Sequence, residues 1–180
     1  YEIGNPAAYI LPDVICDFSN VKITEIEENK VLVKGAKGFP PTPFYKVSAT
    51  YSEGYRLSAV MVLGGYNAVK KAKVASKAIF DKTKNIFKKM KWNDFSGTAE
   101  TILGTESIYG GNGEPSLKEK PREVALRLMA THEKKEALSL FSREMAQAAT
   151  GTVPGIMNFL GGRPSVSPDI RLFSFFIDKK

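Results

Sequence analysis

From Arg56 onward the spacing of apolar residues switches between the two-residue period of a strand and the 3.6-residue period of a helix. Residues 56–63 are apolar and β-prone. Gly64 and Gly65 then break the strand, and Asn67 is placed to cap a helix running to about Lys89. Strand character returns at residues 97–104. Val124, Leu126 and Leu128 then alternate with Ala125, Arg127 and Met129, the pattern of a half-buried strand. Glu133 opens a second helix whose buried stripe is Leu138, Phe141, Met145 and Ala148, with Gly151 placed to end it. After an irregular stretch at 152–168, residues 170–177 give a last strand. The order strand, helix, strand, strand, helix, strand predicts an α+β fold, a ferredoxin-like split β-α-β sandwich (β-α-β-β-α-β).

The first 55 residues read as one or two β-hairpins ahead of a ferredoxin-like region at 56–180. Phe18, Val21, Ile23 and Ile26 face Val31, Leu32 and Val33 across the polar turn Glu27-Glu28-Asn29-Lys30. The prolines between Gly38 and Pro43 predict a loop, because proline donates no ladder hydrogen bond. Residues 45–51 and 56–63, joined by Ser52-Glu53-Gly54, read as a second hairpin. The glycine- and charge-rich residues 110–121 lack periodicity and read as a mobile loop. A chain of 180 residues fits one domain, or a fragment of a larger one.

Chemistry is sparsely signalled. One histidine, His132, and one cysteine, Cys16, cannot build a zinc site, so no metal and no cofactor is expected. The lone cysteine points to a reducing compartment, the cytoplasm or a mitochondrial matrix, and no apolar run is long enough to span a membrane. His132 at a strand-to-helix junction reads as a turn or capping residue, and Asp13, after Pro12, reads as a turn residue ahead of an acid–base partner of Asp17.

The net charge of +7 comes largely from nine basic residues between Lys70 and Lys91, on the polar face of the first helix. A solvated face accounts for them. Phe173, Phe175 and Phe176 could stack bases, but no RNA-binding strand signature accompanies them, so no nucleic-acid partner is expected.

Two glycine-rich segments remain as ligand-site candidates. Gly64 and Gly65 lead from strand into helix, where backbone amides can hold an anion. Gly161, Gly162 and Arg163 follow the apolar residues Ile156, Met157, Phe159 and Leu160, and the guanidinium could grip a carboxylate or phosphate.

Several ordered stretches resemble one family, the acyclic terpene utilisation protein A (AtuA) family. They are Glu2-Ile3-Gly4-Asn5-Pro6 with Tyr9 and Pro12-Asp13-Val14, Val33-Lys34-Gly35-Ala36-Lys37-Gly38, and Tyr45-Lys46-Val47-Ser48-Ala49-Thr50-Tyr51. Gly161-Gly162-Arg163-Pro164, Ser167-Pro168 and Arg171-Leu172-Phe173-Ser174-Phe175 complete the match. The resemblance implies the carboxyl-terminal half of the conserved AtuA domain, with an amino-terminal half of the same protein as its partner. It also implies a role in breakdown of acyclic terpenes such as citronellol and geraniol, with a coenzyme A thioester as substrate. A homo-oligomer is the expected assembly; the alternative is a non-catalytic oligomerisation module of a larger complex.

Overall fold

A computed structural model describes residues 3–114, 121–158 and 161–180. Its strands are β1 (Tyr9–Ile10), β2 (Ile15–Asp17), β3 (Lys22–Glu27), β4 (Lys30–Lys34), β5 (Lys37–Phe39) and β6 (Phe44–Gly64). Helix α1 (Ala68–Lys89) and strands β7 (Gly97–Leu103) and β8 (Glu123–His132) follow, then α2 (Lys135–Gly151), β9 (Ile156–Asn158) and β10 (Ser167–Asp178). The chain divides into two units, Tyr1–Thr50 with Leu172–Lys180, and Tyr51–Arg171.

The ferredoxin-like expectation is overturned. Strand makes up 42% of the structure and helix 25%, and ten strands lie in three sheets with only two α-helices among the described residues. A β-α-β-β-α-β sandwich preceded by hairpins does not fit so strand-rich an arrangement. The chief local cause is β6, a single strand of 21 residues where two strands and a turn were expected. Gly54 adopts φ 75°, and this left-handed kink lets the strand continue where the residues Ser52-Glu53-Gly54 suggested a reversal.

In the larger unit, β6 lies between β8 and β10, and β7 flanks β8. The β6–β8 pairing is antiparallel and unbroken from Tyr55↔His132 to Gly64↔Glu123. Alternate residues therefore share one face: Leu57, Ala59, Met61 and Leu63 of β6 are buried with Val124, Leu126, Leu128 and Ala130 of β8. The helices cover this face. From α1 come Ala68, Ala72, Ala75 and Ile79, and from α2 Leu138, Phe141, Met145 and Ala148. Small residues on α1 let its backbone approach the sheet closely, while aromatic rings fill the far end. Phe141 stacks on Phe80 (5.3 Å) and meets Phe95 edge-on (5.2 Å), and Phe87 meets His132 at 5.2 Å. Between the helices the buried Glu144 forms an ion pair with Lys82 at 2.6 Å, so the carboxylate is charge-paired where it leaves water.

The smaller unit holds the sheet β1-β2-β5 and the hairpin β3–β4. That hairpin forms as its pattern requires, turning through Glu28 and Asn29, with Asn29 at φ 61°. The expected strand from Cys16 is instead two, because Asp17 accepts the Ser19 amide at 2.8 Å and turns the chain. Hydrogen bonds from the Ser19 side chain and amide, with Lys37 nearby, hold the Asp17 carboxyl below the usual range. Part of the expected loop at 38–43 is strand, since Lys37–Phe39 pairs with β2 ahead of the prolines. Of the loop expected at 110–121, Gly110–Asn112 form a 3-10 turn and residues 115–120 lie outside the described residues.

A candidate ligand cavity beside the long strand

Beside the middle of β6 the sheet changes neighbours. Strand β9 pairs with Met61, Val62 and Leu63, whereas Arg171 of β10 reaches Glu53 at 3.7 Å. Ser58 to Met61 thus lie where one partner strand gives way to the other. The chain from Gly161 to Ser165 crosses this stretch and encloses, with α2, a cavity of about 250 Å³. Ala59, Val60, Met61, Met145 and Ala146 give it apolar walls. Ser58, Ser142, Asn158 and Arg163 give it polar ones.

Ser142 explains how the crossing segment is held. Its hydroxyl donates to the Pro164 carbonyl at 2.8 Å, tying the segment to the buried side of α2. A hydroxyl between Leu138, Phe141 and Met145 on an apolar stripe would otherwise lack a partner. Gly162 adopts φ 79°, and no atom lies within 4 Å of a Cβ built there, so it serves the chain's path and leaves the space open.

Arg163 is exposed at the rim, where a wider and shallower cleft adjoins the cavity, lined also by Lys135, Glu136, Ser139 and Arg143. Lys135, Arg143 and Arg163 have no ion-pair partner among the described residues. Three cations against the single Glu136 make this cleft an attractive place for an anion.

The structure brings Gly161, Gly162 and Arg163 together but sets Gly64 and Gly65 apart from them. The Gly64 amide donates to Gly155 O (2.9 Å) and the Gly65 amide to Arg122 O (2.7 Å). Lys71 donates to the carbonyls of Gly64 (2.6 Å) and Pro154 (3.0 Å). These groups knit the end of β6 to the turn before β9. Of the apolar residues ahead of Arg163, Ile156 packs on the core and Met157 is exposed, while Phe159 and Leu160 lie outside the described residues.

His132 is buried and takes the junction role its position suggested. Its Nδ1 accepts the Lys134 amide at 2.8 Å, which leaves Nε2 to donate to Asn93 O at 3.1 Å. Cys16 is half-buried in β2 and unpaired. Among the described residues no cluster of His, Cys, Asp or Glu is placed to hold a metal ion, and no helix is long and apolar enough to cross a membrane. Sequence reasoning missed Ser142, Arg143 and Asn158. Only Ser142 carried a signal, as a hydroxyl within an otherwise apolar helical stripe.

Fold and cavity together define a mainly β protein in which two helices cover a sheet and a small amphipathic cavity opens beside its longest strand. The chain belongs to the acyclic terpene utilisation family, AtuA, whose family profile matches residues 1–180. Membership implies involvement in acyclic terpene utilisation. No curated protein and no solved structure matches the chain.

Proposed function

We propose that the cavity beside β6 binds an acyclic terpenoid carboxylate or its coenzyme A thioester, with the hydrocarbon against Met61 and Met145 and the anionic end at Arg163. The observation that supports this most is the pairing of an apolar recess with an unpaired guanidinium at its rim. An acyclic chain bearing one anionic group has the same two-part chemistry. Methionine walls suit such a chain, since an unbranched, flexible thioether adapts to irregular apolar shapes.

Size limits what enters. At about 250 Å³ the recess falls below the roughly 300–1,000 Å³ of pockets that enclose drug-sized ligands. A hydrocarbon end fits there, and the nucleotide of a thioester would lie outside, along the cleft with Lys135 and Arg143. The alternative, a non-catalytic assembly module, draws on a different region, the exposed apolar strands of the smaller unit.

Thermal shift and calorimetric titration with citronellate, a citronellyl thioester of coenzyme A, and free coenzyme A test the reading on wild type and Arg163→Ala. A charge-assisted contact is worth about 1.5–3 kcal/mol, so the variant should bind the first two ligands roughly 10- to 150-fold more weakly. Equal affinity in the two proteins would remove Arg163 from the site; no binding by wild type would remove the site itself.

A further inference from the structure

The recess and the wider cleft share a wall, formed by Ser142, Arg163, Pro164 and Ser165. Beyond that wall their chemistry differs. The recess is closed by apolar side chains of β6 and α2, whereas the cleft, of about 670 Å³, carries Lys135, Ser139 and Arg143. These three lie four residues apart on α2 and so share one face of it. The Ser139 hydroxyl is half-buried and has no hydrogen-bond partner among the described residues. The bond from Ser142 to the Pro164 carbonyl pins the neighbour of Arg163 to the same helix, which holds the third cation beside this face.

Charge and span together define what the cleft can take. Three cations against the single carboxylate of Glu136 leave two positive charges in excess. The free carboxylate of a terpenoid acid balances one of them. A phosphate monoester brings about two negative charges but is only one group wide, and Lys135 and Arg143 stand two helical turns apart, about 12 Å along the axis. Two phosphoryl groups joined through an oxygen meet both conditions: they bring about two to three negative charges and present acceptor oxygens at both ends.

We infer that the cleft binds a diphosphate group, with Lys135 at one end, Arg143 at the other, Ser139 between them and Arg163 toward the recess. The inference deepens the proposed function and rests on the cleft belonging to the same ligand site. It makes a diphosphate, in place of a free carboxylate, the anionic part that this face selects. That group arrives either on the hydrocarbon itself, as an acyclic prenyl diphosphate, or within coenzyme A.

Calorimetric titration of the full chain with inorganic pyrophosphate and inorganic phosphate, in low-salt buffer because the cations are exposed, reads the cleft without a hydrocarbon. Wild type should bind pyrophosphate at least about tenfold more tightly than phosphate, and Lys135→Ala with Arg143→Ala should weaken pyrophosphate by about tenfold or more. Lys73→Ala with Lys77→Ala removes the same charge from the exposed side of α1 and should leave pyrophosphate binding unchanged. Circular dichroism should show all three proteins folded. No pyrophosphate binding by wild type, equal affinities for the two anions, or equal losses in the two double variants would each overturn the inference. Geranyl diphosphate and free coenzyme A separate the two carriers: the one that binds wild type and is weakened by the cleft substitutions carries the group, and if neither does, the inference fails. Citronellate binding without pyrophosphate binding would sink this inference alone, and the reverse would sink the hydrocarbon recess alone.

Discussion

At Gly54 and Gly162 the backbone is left-handed to nearly the same degree, φ 75° and 79°, yet the surroundings differ. A Cβ on Gly54 would sit 2.8 Å from the His132 carbonyl oxygen, at the end of the β6–β8 pairing, whereas one on Gly162 would meet nothing within 4 Å. Alanine at residue 162 therefore carries only the left-handed backbone cost, about 1 kcal/mol. At residue 54 a backbone clash is added, and the loss should reach about 3 kcal/mol. Urea unfolding of Gly54→Ala and Gly162→Ala checks this, and equal losses would contradict the account of the kink. The sequence could not separate the kink from a turn. Glycine after Ser52 and Glu53 suits both, and the deciding neighbour, His132, lies far along the chain.

Among the elements, α2 does the most to join sheet, helix layer and cavity. Phe141 is fully buried between Phe80 and Phe95, and one turn further Met145 lines the cavity. Phe141→Ala should cost about 3–5 kcal/mol in unfolding free energy, as large-to-small changes in a packed core do. Met157→Ala, at a side chain 66% exposed on β9, should stay within about 0.5 kcal/mol. Comparable losses in urea titrations would mean that the aromatic end of the core is not packed as described. The stripe of α2 was legible because Leu138, Phe141, Met145 and Ala148 repeat at helical spacing and all are buried. On α1, Ile86 and Met90 share helical spacing with Ala72, Ala75 and Ile79, but the burial runs Ile79, Thr83, Phe87, so Met90 is left exposed. A lysine-rich helix leaves several apolar registers open, and the ring cluster around Phe95 selects one of them.

Over the whole molecule, periodicity located most strands and both helices but misassigned their assembly. Each stretch of alternation states that a strand forms, not which strand lies beside it. β9 and β5 are three residues each, too short for any periodic signal, and β9 exists because β6 offers it an edge at Met61 to Leu63. The apolar run at 170–177 read as a last strand and forms one, β10, yet its large apolar residues are exposed, because a sequence records hydrophobicity without recording what covers it. Of the candidate residues, Gly161, Gly162 and Arg163 converge on one cavity and Gly64 and Gly65 do not. The walls contributed by β6 and α2 come from residues that look like ordinary core.

The claim that this cavity receives the hydrocarbon end of the ligand is tested by filling it. Ala146 lines the space and is only partly buried, so Ala146→Trp occupies the cavity without displacing the central core. Calorimetric titration of citronellate into wild type and Ala146→Trp, with unfolding curves showing both folded, is the measurement. The expected result is binding by wild type and at least a roughly tenfold weaker affinity in the variant, from lost apolar burial of about 1.4 kcal/mol or more. Equal affinities would contradict the account and place the hydrocarbon elsewhere.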